Sequence, residues 1–149
     1  MPRPRLPACC SGRTFWASIF LLWGIVLWLL SDGPIPIRDG PDLPGFDKIL
    51  HFGYFFGGAG LLSAALYLHR CNRTGLSWRR LVITVVIVLA MVGVLDEWHQ
   101  SWIPERSGND FGDWLADVAG ALAGALVFKR FHRLLDPPVP DPPSPEDLS

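Results

Sequence analysis

Three short polar signatures and one arginine hold most of the residues in this 149-residue chain that could do chemistry. They are Asp47-Lys48-Ile49-Leu50-His51, Asp96-Glu97-Trp98-His99-Gln100, then Arg106, and Asp113-Trp114-Leu115-Ala116-Asp117 with Gly120 behind. Carboxylates beside imidazoles and cations can clamp one another in a structural network, grip the polar group of a ligand, or hold a divalent cation that activates water. Spacing does not choose among the three. There is no HExxH or comparable ligand spacing, no phosphate-cradling glycine loop and no nucleophile elbow. No catalytic residue and no metal ligand is therefore assigned, and no cofactor is expected.

Helical spacing turns the signatures into faces. Asp47, His51, Tyr54 and Gly58 follow an i, i+4, i+7, i+11 pattern, and so do Asp113, Asp117, Gly120 and Gly124. Gly93, Glu97 and Gln100 align on a third helix, with Asp96 one step round. Polar residues take one end of each stripe and small residues continue it, so Gly58, Gly93, Gly120 and Gly124 are expected at helix contacts. Asp113 and Asp117 are like charges one turn apart and need a cation or proton nearby. Lys48, His51 and Arg106 are the available partners, and intramembrane acids of this kind are functional candidates by default.

The elements that must position these residues are apolar. Half of the chain is hydrophobic, 18% is charged, and mean hydropathy is +0.28. Ile49 to Leu68 gives twenty residues free of Asp, Glu, Lys and Arg. Shorter uncharged runs cover Phe15 to Leu30, Leu81 to Leu95 and Val118 to Phe128. Counted from the polar signatures inward, helices are predicted over 14–31, 47–68, 81–103 and 112–130. Their lengths of about 27 to 34 Å match a hydrocarbon core of about 30 Å. Trp16, Trp28, Trp78, Trp98, Trp102 and Trp114 fall near span ends, where an amphipathic ring is favoured; Trp23 alone lies mid-span. The predicted fold is all-α, a four-helix transmembrane bundle.

Basic residues orient it. Arg3, Arg5, Arg13, Arg70, Arg73, Arg79, Arg80, Lys129, Arg130 and Arg133 fall on one side, against Arg38, Lys48 and Arg106 on the other. The positive-inside rule then places both termini in the cytoplasm and the polar signatures outside, an N-in/C-in topology. No small-x-small cleavage site follows Leu30, so the first span reads as an uncleaved helix. Cys9, Cys10 and Cys71 fall on the cytoplasmic side without a zinc-like spacing, which argues against disulfides and metal ligation. The organisation is a basic arm (1–13), a membrane domain (14–135) and a disordered Pro-rich cytoplasmic tail (136–149). Net charge is -1 and no basic face carries interleaved aromatics, which excludes a nucleic-acid partner.

From residue 46 to about 126 the chain resembles the VanZ-like family of bacterial membrane proteins, named after an accessory protein of teicoplanin resistance. The likeness rests on Asp47-Lys48-x-x-His51, on Asp96-Glu97-x-x-Gln100 with Pro104 and Arg106, and on Asp113-x-x-Ala116-Asp117-x-x-Gly120. Glu105 stands where the family usually has glycine, and Asp117 where many members have asparagine. The resemblance implies a small multi-pass protein of the bacterial cytoplasmic membrane, acting on or near the cell envelope. The expected role is non-enzymatic: Asp47, Lys48, His51, Asp96, Glu97, Gln100, Arg106, Asp113 and Asp117 bind or protect an envelope component, with a link to glycopeptide resistance. The alternative is an interfacial metal-assisted hydrolase or transferase acting on an envelope lipid or glycan. Membrane lipids, an envelope lipid or glycopeptide, and a second copy of the chain are the partners to consider.

Overall fold

The computed structural model describes residues 12–33, 45–71, 77–104, 108 and 110–136. They form four helices in chain order: α1 (Arg13–Ser31), α2 (Phe46–Cys71), α3 (Trp78–Gln100) and α4 (Phe111–Phe131), followed by a 3-10 turn (His132–Leu135). Every helix is long and apolar enough to cross a membrane, and no strand occurs among the described residues. The predicted basic arm and Pro-rich tail lie outside these residues, apart from Gly12, Arg13 and Asp136.

Local chemistry explains the helix ends. Asp110 caps α4 by accepting a 2.6 Å hydrogen bond from the Gly112 N–H, and Asp113 puts a carboxylate in the first turn, where the helix dipole favours it. Ser77 caps α3 by accepting from the Arg80 N–H, so this helix begins three residues before the predicted start. It also closes earlier, at Gln100 instead of 103. There Trp102 N–H donates to the His99 carbonyl and Ile103 N–H to the Gln100 carbonyl, tightening the chain into i→i+3 turns. α2 runs on to Cys71, beyond the predicted residue 68.

α2 and α4 make the most extensive contact, α3 packs mainly on α4, and α1 lies chiefly against α2. Glycine explains the first pairing. A methyl group at Gly120 would strike the Phe52 carbonyl of α2, and one at Gly124 the Phe56 carbonyl. Backbone cannot yield as a side chain can, so α4 comes this close to α2 only without a Cβ at either position. Phe55, Ala59, Val85, Leu89, Ala121 and Ala125 fill the core between α2, α3 and α4.

α1 is held differently. Of its residues only Ser31 is buried. Trp23 Nε1 donates to the Tyr54 carbonyl at 3.2 Å while the Tyr54 hydroxyl donates to the Trp23 carbonyl at 2.8 Å. This reciprocal pair pins α1 to α2, with Gly58 lying under the Trp23 ring. The outside of the bundle is apolar all round: Leu21 is 66% exposed and Met91 63%. Such a surface is untenable in water and ordinary in lipid.

The up-and-down course brings the C-terminal ends of α1 and α3 together with the N-terminal ends of α2 and α4. This polar end carries the candidate site. Tyr67, Trp78 and His132 pack together at the opposite end.

Candidate functional site

Two layers of polar side chains occupy the polar end. In the outer layer Lys48 reaches from the first turn of α2 toward the cap of α4. Its Nζ donates to Asp113 Oδ1 at 2.9 Å and Asp110 Oδ2 at 3.0 Å, with Asp47 Oδ2 at 3.4 Å. Lys48, Asp47 and Asp110 are partly exposed, whereas Asp113 is buried. Asp110 lies outside the helices. The Lys48 ammonium, and then the Gly112 N–H, hold its carboxyl below the usual aspartate range.

One turn deeper, His51 Nδ1 stands 2.9 Å from Asp117 Oδ1. Asp117 is fully buried. A carboxylate accepts, so the imidazole hydrogen of this contact sits on Nδ1, leaving Nε2 as the second ring position. Gly93 of α3 makes room: a methyl group there would stand 2.6 Å from Asp117 Oδ2 and 3.3 Å from Trp114 Cδ1. Trp114 in turn donates from Nε1 to the Ala90 carbonyl at 3.0 Å, tying α4 to α3 beside the pair.

Adjacent residues of α3 do different jobs. Asp96 has both oxygens satisfied, Oδ1 by the Ser31 hydroxyl and Oδ2 by Gln100 Nε2 at 2.8 Å. This links α1 to α3. Glu97, 5% exposed, accepts the Asp110 backbone N–H on Oε2 at 2.8 Å, and its Oε1 has no hydrogen-bond partner among the described residues. Asp117 Oδ2 is in the same condition. His99 stacks on Trp28 with ring centroids 3.8 Å apart, and its Nε2 lies 3.5 Å from Asp32.

The structure thus gathers Asp47, Lys48, His51, Asp96, Glu97, Gln100, Asp113 and Asp117 at one end of the bundle. Arg106 lies outside the described residues. Among the described residues two groups of side chains could wrap a cation, each with its ligand atoms within 4.8 Å of one another: His51, Glu97 and Asp113, and Asp47, Asp110 and Asp113. Sequence reasoning left out Ser31 and Asp110. Asp110 carries a readable signal, an aspartate immediately before an apolar helix. Ser31 carries none, because its partner is 65 residues away.

The model of the VanZ/LLP1 family matches residues 12–133. No curated protein and no solved structure matches the chain.

Proposed function

The chain belongs to the VanZ/LLP1 family, and we propose that it is a non-enzymatic membrane protein whose polar end faces outward and binds or shields a component of the cell envelope. The observation that carries this reading is the pair of buried carboxylate oxygens left without a partner among the described residues, Glu97 Oε1 and Asp117 Oδ2. An unpartnered buried acceptor costs about 1–3 kcal/mol, more when charged. A network that served only to pack helices would be expected to satisfy both, as the same end of the bundle does for Asp96. Acceptors left open suit a ligand that brings donors or positive charge: the hydroxyl or ammonium groups of an envelope lipid, glycan or glycopeptide.

Orientation rests on charge. Arg13, Arg79, Arg80, Lys129, Arg130 and Arg133 lie at or near the helix ends opposite the cluster, so the positive-inside rule turns the cluster away from the cytoplasm. An alkaline phosphatase fusion after Gly40 should be active only outside the cell.

Expression in a teicoplanin-susceptible bacterium tests the role. Asp117→Ala and Arg106→Ala should abolish the change in susceptibility conferred by the intact chain and leave membrane insertion unaltered. Two variants that insert and protect as well as the parent would refute the reading.

A further inference from the structure

Among the described residues no lysine or arginine pairs with the inner layer of the cluster, where Asp117 meets only the His51 imidazole. The Lys48 ammonium is occupied by Asp47, Asp110 and Asp113, and among the described residues no ion pair joins it to Glu97 or Asp117. Yet His51, Glu97 and Asp113 place one nitrogen and two carboxylate oxygens within 4.8 Å of one another, each from a different helix. We infer that His51, Glu97 and Asp113 hold a divalent transition-metal ion between α2, α3 and α4. The inference rests on the reading of the cluster as a binding site and supplies the cation that its open acceptors address.

The spread of the three donors fits an ion. Bonds of about 2.0–2.2 Å in a tetrahedral shell separate ligand atoms by about 3.4 Å. Set against the 4.8 Å bound on the observed spread, closure onto one ion takes up to about 1.5 Å, within the reach of side-chain rotation. Each donor is also aimed by a second contact. Asp117 fixes the His51 ring through Nδ1, the arrangement a metal-ligating imidazole normally has, and leaves Nε2 for the ion. The Asp110 N–H holds one oxygen of Glu97, whose other oxygen is buried and has no partner among the described residues. Lys48 holds Oδ1 of Asp113.

Donor type narrows the metal. Two carboxylates balance a charge of +2, and an imidazole favours Zn²⁺ over Mg²⁺ and Ca²⁺, which prefer all-oxygen shells; Mn²⁺, a carboxylate-binding ion, serves as a weaker spectroscopic probe. In the outer group of Asp47, Asp110 and Asp113 the Lys48 ammonium contacts all three carboxylates, whereas in the inner trio it contacts Asp113 alone.

The test uses the full chain in detergent with a histidine-free affinity tag. Metal content is measured as purified without chelator. The stripped protein is then titrated with Mn²⁺, following the loss of the free-ion electron paramagnetic resonance signal, and with Zn²⁺ in competition. The expected result is about one ion per chain, lost in Glu97→Gln and His51→Ala, retained in His132→Ala, and bound about 10- to 100-fold more weakly in Asp117→Ala. If Glu97→Gln fails to fold, the wild-type titration decides alone: no stoichiometric Mn²⁺ or Zn²⁺ overturns the inference, as does undiminished binding by a folded Glu97→Gln. A metal-free wild type whose Asp117→Ala variant still loses teicoplanin protection would sink the ion and spare the envelope role. Bound metal, with protection untouched by the same variant, would do the reverse.

Discussion

The two ends of the bundle solve the same problem in opposite ways. Both must close a small helical protein where lipid meets water. At one end Tyr67 stacks on Trp78, His132 packs against both, the Tyr67 hydroxyl donates to Asp136, and Arg13 meets His69 at 2.9 Å. The interactions there are aromatic, or bonds to side chains near the surface. At the other end Asp96, Glu97, His99, Gln100, Asp113 and Asp117 are all buried. The buried side-chain atoms left unpartnered among the described residues are Glu97 Oε1, His99 Nδ1 and Asp117 Oδ2 at this end, with Ser63 Oγ along α2. An aromatic lid with peripheral polar bonds is enough for stability. Burying acids with open oxygens costs stability, and a ligand gives that cost a purpose.

Substitutions can break or sharpen this contrast. The largest effect is expected from Gly120→Leu, which drives a side chain into the Phe52 carbonyl and forces α2 from α4. It should cost about 3 kcal/mol or more and abolish the monodisperse peak in size-exclusion chromatography. Next comes His51→Ala, which leaves Asp117 buried and unpaired. Loss of one partner from a buried pair costs about 3–5 kcal/mol, so the thermal midpoint should fall and protection disappear together. Lys48→Met removes two partly exposed ion pairs, worth about 1 kcal/mol or less each, and takes the cation from buried Asp113. A drop in midpoint smaller than that of His51→Ala should accompany a clear weakening of function. The smallest effect belongs to the opposite end, where Tyr67→Phe removes the hydroxyl's bond to Asp136, worth about 1 kcal/mol, and should leave protection unchanged. A Tyr67→Phe variant as defective in protection as His51→Ala would erase the difference between the ends.

Much of this was legible in the sequence, for physical reasons. Uncharged runs and terminal tryptophans mark the spans because lipid admits little else, and glycines at i, i+4 on α4 mark where a backbone comes close. The stripe Asp47, His51 and the stripe Asp113, Asp117 follow from helical period alone. Partner choice is less accessible. Asp96 and Glu97 are neighbours of similar chemistry, yet Ser31 and Gln100 satisfy the first, whereas the second keeps an open oxygen. Which acid is satisfied depends on where α1 docks, and the composition of α1 announces only that it crosses the membrane. The helix ends depended on details as small as the Ser77 cap and the i→i+3 turns after Gln100, which hydrophobic period does not register.

The most direct measurement is the thermal midpoint of metal-stripped Glu97→Gln beside its teicoplanin phenotype. Glutamine keeps an acceptor for the Asp110 N–H and replaces the buried carboxyl. If Glu97 serves a ligand, the variant melts at or above the parent's midpoint and protects nothing. A variant that melts lower while protecting fully would make Glu97 a structural strut and contradict the account.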